Sequence, residues 1–251
     1  MSLKIIRRLL PDWGTTYGPP GEGPFPAIMI LHGSEGGWAG WSHRMAAILA
    51  AHGYLAYPHT YSRGGNGWNA GSIKDVSLDR TVQALEALRA FPFASPRLGL
   101  YGVSRGAEHA LLVSTLMAAD GLKGADAIAV LAPPDVVCGA FDAAYWRDSG
   151  DPGWRPWDPA QRAWAWKGSS ENLLPTTPLA VEQITAPIFM AHGTADKIWS
   201  VEMTRRLEQR LIAAGRSPEV HYFEGKDHNL DSASENDMHE KLLDFFERTL
   251  S

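Results

Sequence analysis

The stretch LGLYGVSRGAEHALL, Leu98–Leu112, decides how the rest of the chain is read. An apolar run arrives at Gly102, Ser104 sits between Gly102 and Gly106, and an alanine- and leucine-rich segment follows. The pattern predicts a strand, a sharp turn and a helix. Glycines on either side of a serine permit a strained turn that lifts its hydroxyl clear of a sheet. A free hydroxyl is a poor nucleophile, so a catalytic reading needs a base, an acid to orient it and N–H donors for an oxyanion. Those partners have to be found elsewhere in the chain.

Length and composition limit the search. The chain has 251 residues, 45% hydrophobic and 20% charged. That suits a single domain spanning residues 1–251 with a sizeable core. The net charge of -5 comes with no basic block, which disfavours a nucleic-acid partner. Cys138 is the lone cysteine, so neither an internal disulfide nor a cysteine-rich zinc site is expected. The opening MSLKIIRRLLPDWG has no signal-peptide core, and no segment is apolar for long enough to span a bilayer. The expectation is a cytoplasmic protein; its oligomeric state is not legible.

The hydrophobic pattern alternates strands and helices. Ala27 to Leu31, Tyr54 to Pro58, Leu98 to Tyr101, Ala127 to Leu131, Ile188 to Ala191 and Glu219 to Phe223 read as strands. Helices are predicted from Ser42, as N-cap, to about Ala51; around Val82, Leu85 and Leu88; from Ser104 to about Ala119; from Ser200 to Gly215; and at the end, with Ser232 and Glu235 as a capping box. Such alternation implies an α/β fold with a mostly parallel central sheet and helices on both faces. Sites in such sheets form beyond the carboxyl ends of the strands.

The residues that follow each strand supply the missing partners. Ser104 follows the third strand, Asp196 the fifth in AHGTADKIW, and His228 the sixth in FEGKDHNL. A glycine-rich loop, LHGSEGGW, follows the first. The order Ser, Asp, His is that of the α/β-hydrolase fold. In this reading His228 takes the proton of Ser104, and Asp196 holds the imidazole in the right tautomer. The amide of Arg105 and a second from Ser34 (or Glu35) would form the oxyanion hole. Asp135, after the fourth strand, competes for the role of acid. His32 and His109 read as structural, and Asp227 as a loop residue. No histidine pair has metal-ligand spacing, so neither a metal nor a cofactor is expected.

Four segments carry a family resemblance: GPFPAIMILHGSEGG, HGYLAYPHTY, LGLYGVSRGAEHALL and the run from PLAVEQITAPIFMAHGTADKIWS to VHYFEGKDH. Together they resemble the catalytic domain of acyl-CoA thioesterases and bile-acid-CoA:amino-acid N-acyltransferases, with dienelactone-hydrolase-like proteins close behind. The resemblance implies an α/β-hydrolase with a Ser104–Asp196–His228 triad. Two departures stand out. The thioesterases and acyltransferases carry an N-terminal β-sandwich, which is not expected here, with roughly twenty residues ahead of the core. Members that transfer acyl groups to amino acids use cysteine where this chain has Ser104, and serine favours water as acceptor. The expected activity is hydrolysis of carboxylic esters or thioesters with a medium-sized apolar acyl or aromatic portion, through an acyl-enzyme on Ser104. An acyl-CoA thioesterase or acyltransferase, and a non-catalytic binding protein on a hydrolase fold, are the alternatives.

The strand rhythm breaks between Val137 and Pro187. Residues 138–186 read as a lid-like insertion, and Trp146, Trp154, Trp157, Trp164 and Trp166 fall within it. Asp158 as N-cap, Pro159 in the first turn and Gly168 as stop predict a short helix. Trp154 and Trp164 are candidates for lining an apolar acyl pocket; the alternative is that the tryptophans pack the insertion onto the domain. Arg63, Arg147, Arg155 and Arg162 are candidates for contacting CoA.

Overall fold

A computed structural model describes residues 4–37, 40–62, 72–142 and 158–251. Its elements in chain order are β1 (Ile6–Leu10), β2 (Gly14–Gly18), β3 (Phe25–Leu31), α1 (Trp41–Ala51), β4 (Leu55–His59), β5 (Ser72–Ile73), β6 (Val76–Ser77), α2 (Asp79–Arg89) and β7 (Ala94–Val103). These are followed by α3 (Arg105–Ala119), β8 (Ala127–Leu131), β9 (Gly139–Asp142), β10 (Asp158–Arg162), β11 (Trp164–Ala165), β12 (Ile188–Gly193), α4 (Val201–Ala213), β13 (Glu219–Phe223) and α5 (Ser232–Leu250).

Eight strands form the central sheet in the order β1-β2-β4-β3-β7-β8-β12-β13. From β4 to β13 every pairing is parallel, while the β1–β2 hairpin joins antiparallel at one edge. The central strands are continuous apolar runs because both of their faces are covered. Successive residues of β3 show it: Ala27, Met29 and Leu31 face a core shared with Leu85, Leu111 and Leu207 of α2, α3 and α4. Ile28 and Ile30 face the opposite core, with Met45 and Leu49 of α1 and Phe245 and Phe246 of α5.

The six predicted strands and five helices are all present, and several boundaries move. The N-cap of α1 is Gly40, in a left-handed conformation, so Ser42 lies inside the first turn. The N-cap of α5 is Asp231, whose Oδ1 accepts from the Ser234 amide at 2.9 Å, rather than the Ser232 and Glu235 pair. The edge hairpin β1–β2 was not expected. Much of its hold comes from Arg8, which lies over the Phe25 and Phe93 rings and donates to the carbonyls of Pro19 and Gly21.

The helix predicted from Asp158 is absent. Asp158 Oδ1 accepts from the Ala160 amide, but the chain then runs on as β10 and β11. β10 pairs with β9, which pairs with β5, while β11 lies parallel to β6. Ala163, Trp164, Ala165 and Trp166 alternate small and large with a period of two, the repeat of a strand. The described part of the insertion is therefore stitched to residues 72–77, just ahead of α2. Among the described residues no helix is long and apolar enough to cross a membrane.

Candidate active site

Ser104 occupies the junction of β7 and α3 at φ 55° and ψ -118°, a conformation that L residues rarely adopt. The elbow is shaped by close backbone approach. A Cβ on Gly102 would stand 2.1 Å from the Gly106 carbonyl, and one on Gly106 would stand 2.1 Å from that of Leu31. Both positions accept only glycine, which lets α3 start directly against the end of β3. The Ser104 amide is fixed on the Leu131 carbonyl at 2.9 Å. Arg105 and Gly106 open α3, so their N–H groups lack acceptors within the helix.

The three residues expected to act together do meet. Ser104 Oγ lies 3.0 Å from His228 Nε2, and His228 Nδ1 lies 2.6 Å from Asp196 Oδ2. The carboxylate only accepts, so Nδ1 carries the hydrogen and Nε2 is free to receive that of Ser104. Ser104 is 9% exposed, and the side chain of Asp196 is buried. Burial would raise the Asp196 pKa. Hydrogen bonds from His192, His228 and the Trp199 amide, together with charge on His228, outweigh this and hold the carboxyl well below the usual range.

The loops after β12 and β13 are brought together by a second close approach. A Cβ on Gly193 would stand 2.4 Å from the Lys226 carbonyl and 2.5 Å from that of Asp227. The Ala195 amide donates to the Lys226 carbonyl and the Thr194 amide to that of Phe223. The competing acid Asp135 is engaged elsewhere, in a two-pronged ion pair with Arg206 at 2.5 and 2.9 Å. Asp227 takes the amides of Lys197 and His228, as a loop residue would.

On the far side of Ser104 lies the loop 32–37. Glu35 folds back so that its Oε1 accepts from the Gly33 amide at 2.8 Å. Burial raises its pKa, against the opposing pull of the Gly33 amide, its own amide and the charge of His228. The Gly33 amide is thereby engaged, and the Gly36 amide donates to the Gly33 carbonyl at 3.2 Å. His32 donates from Nδ1 to the Gly33 carbonyl and stacks on Tyr61, with ring centroids 4.0 Å apart.

Arg105 does more than supply an amide. Its side chain is buried, with NH1 2.9 Å from Glu108 Oε2 and NH2 donating to the Gly139 carbonyl. Glu108 Oε1 accepts from the Cys138 amide and from Trp164 Nε1, both at 2.7 Å. Trp164 is 0% exposed, under Arg105 and edge-on to His109. The pocket role expected of Trp164 is thus corrected: its ring fills the seam between the insertion and α3. Trp154, and with it Trp146, Trp157, Arg63, Arg147 and Arg155, lies outside the described residues.

His192 went unremarked in the sequence. It ends β12 four residues before Asp196, and its Nε2 reaches the same carboxylate oxygen as His228. The i and i+4 spacing of His192 and Asp196 was the available signal. Among the described residues no group of His, Cys, Asp and Glu side chains is arranged to hold a metal.

Known proteins similar to this chain include acyl-coenzyme A enzymes and α/β-hydrolase structures. Over 104 residues the chain is 35% identical to acyl-coenzyme A thioesterase 6 of Mus musculus, covering 41% of this chain and 24% of that protein. Over 225 residues it is 27% identical to acyl-coenzyme A amino acid N-acyltransferase 2 of Rattus norvegicus, covering 81% and 48%. The chain thus spans half or less of the length of these relatives. Esterase 2 of Thermogutta terrifontis, solved phosphoramylated by tabun, superposes with a TM-score of 0.66 over 97% of this chain and 94% of its own, at 17% identity. A dienelactone hydrolase-like promiscuous phosphotriesterase from metagenomic libraries gives 0.62 over 100% and 99%, at 13% identity. At these identities the two structures speak to the α/β-hydrolase fold alone. Residues 45–251 match the sequence profile of the prolyl oligopeptidase family, and this chain belongs to that family.

Proposed function

We propose that the chain is a serine hydrolase that cleaves carboxylic esters or thioesters through an acyl-enzyme on Ser104. The observation that carries this reading is the continuous contact from Ser104 Oγ to His228 Nε2, at 3.0 Å, and from His228 Nδ1 to Asp196 Oδ2, at 2.6 Å. Ser104 attacks the substrate carbonyl while His228 takes its proton. The carbonyl oxygen becomes an anion held by the amides of Arg105 and Ser34. His228, now an imidazolium stabilised by Asp196, passes its proton to the departing alkoxide or thiolate. Water then repeats the sequence with the proton flow reversed, freeing the acid and restoring Ser104. Esters and thioesters both fit this chemistry; the thioester arm draws support from relatives named as acyl-coenzyme A thioesterases.

The test presents one acyl group two ways, as an aryl ester and as its CoA thioester, with Ser104→Ala as the blank. The expected result is turnover by the unaltered chain and none by a folded Ser104→Ala. Unchanged turnover in that variant would overturn the reading. Adding amine acceptors in the same assay separates acyl transfer from hydrolysis.

A further inference from the structure

Asp196 is held by two histidines, and only one of them faces the serine. His192 is fully buried, with Nε2 at 2.9 Å from Asp196 Oδ2 and 3.1 Å from the Trp199 carbonyl. Both neighbours are acceptors without a proton to give, so Nε2 of His192 must carry one. Its Nδ1 lies 2.7 Å from Thr204 Oγ1, which is itself 3.4 Å from the Pro133 carbonyl. A hydroxyl has a single hydrogen, and the contact at 2.7 Å is the one of normal length. With the hydroxyl hydrogen on that shorter contact, Nδ1 of His192 is the acceptor.

The carboxylate is then completely occupied. Oδ2 accepts from two imidazoles, at 2.6 and 2.9 Å, and Oδ1 accepts from the amides of Ile198 and Trp199, at 2.7 and 2.9 Å. Four donors fill the roughly four lone-pair sites that a carboxylate offers. A carboxylate with an empty site in a dry interior would rotate or draw in water, and the His228 ring would follow it. We propose that His192 is a positioning residue for the reaction: its Nε2–H fixes the rotation of Asp196 and thereby aims His228 Nε2 at Ser104. A line of hydrogen bonds runs from Thr204 on α4 through His192, Asp196 and His228 to Ser104, with Asp196 accepting from both histidines.

This proposal rests on the serine-hydrolase reading, and the experiment separates the two. The second-order rate of labelling by a fluorophosphonate reports how reactive Ser104 is, without needing the natural substrate. The unaltered chain should label and Ser104→Ala should not; a failure there removes the functional reading and this proposal with it. Given labelling, His192→Phe should slow it by about tenfold to a hundredfold, the scale of a displacement of about 1 Å in an active site. His192→Gln, whose amide places an N–H close to the lost Nε2–H, should bring the rate back to within a few fold. Labelling of His192→Phe at the full rate would overturn the proposal. So would His192→Gln as slow as His192→Phe, since ring packing alone would then be at work. The unaltered protein gives a check that does not depend on a variant folding. Nitrogen-15 spectra should show His192 as the Nε2–H tautomer, and an Nδ1–H tautomer would refute the arrangement.

Discussion

The Arg105 guanidinium and the Glu108 carboxylate stand 2.9 Å apart with side chains 1% and 0% exposed, one turn into the helix that begins at the candidate nucleophile. Arg105, whose amide is proposed to hold the oxyanion, is thus anchored through its side chain to the insertion, by way of Gly139, Cys138 and Trp164. Removing one partner strands the other charge in the interior. Glu108→Ala should cost about 3–5 kcal/mol of stability, read from urea unfolding. A double replacement of Arg105 and Glu108 by apolar residues of similar volume should cost much less than the single one.

Trp164 should matter for stability and not for choice of substrate. Trp164→Ala removes a fully buried ring and should cost about 3–5 kcal/mol. Trp164→Phe keeps most of the volume but leaves Glu108 Oε1 without its indole donor, at a cost of about 1–3 kcal/mol. A series of esters of increasing acyl length should be ranked identically by the unaltered chain and by Trp164→Phe. A changed ranking would mean that the ring touches substrate after all.

Gly193→Ala separates activity from folding. The added Cβ would meet the Lys226 and Asp227 carbonyls at 2.4 and 2.5 Å, so the segment that carries His228 has to retreat. A shift of about 1 Å is worth on the order of a hundredfold in rate. The expected outcome is a loss of that size in kcat, measured beside a melting temperature that falls by only a few degrees.

Acid should weaken the fold before it titrates the triad carboxylate. Burial lowers the pKa of His32 to about 4, opposed by its bond to the Gly33 carbonyl. Burial, with the nearby charges of His32 and Arg80, lowers that of His59 to about 3. Both rings stay neutral in the fold, while in the unfolded chain each binds a proton below about pH 6.5. Stability is therefore fully present above about pH 6.5 and declines as pH falls towards 4 and then 3. Each such histidine adds a slope of roughly 1.4 kcal/mol per pH unit. Urea midpoints between pH 7 and 4 should show this slope, and His59→Gln should remove one proton's share of it.

The parts of the fold legible in the sequence were those whose signals are local. Continuous apolar runs marked strands covered on both faces, as in Ala27 to Leu31 and Ala127 to Leu131, and chemistry followed their ends. Ser104, Asp196 and His228 were visible because each follows its own strand. The insertion was misread because two local signals conflict there. Asp158, Pro159 and Gly168 look like helix punctuation, while the alternation from Ala163 to Trp166 is that of a strand, and pairing with β6 decides for the strand. Arg8 hid the edge hairpin because its contribution is packing across Phe25 and Phe93, which no periodicity records. His192 was passed over for the same kind of reason. Its meaning depends on where the Trp199 carbonyl and the Thr204 hydroxyl arrive in three dimensions.

The position of β13 has a consequence for when the chain becomes competent. β13 is the outermost strand on its side of the sheet, where it pairs with β12. The elbow at Ser104 belongs to the sheet's interior, 124 residues ahead of His228 in the chain. Translation therefore completes the nucleophile's surroundings well before it delivers the base. Until that final edge docks, Ser104 is an ordinary hydroxyl. On the proposed reading, the onset of Ser104 reactivity doubles as a signal that the C-terminal strand has found its place.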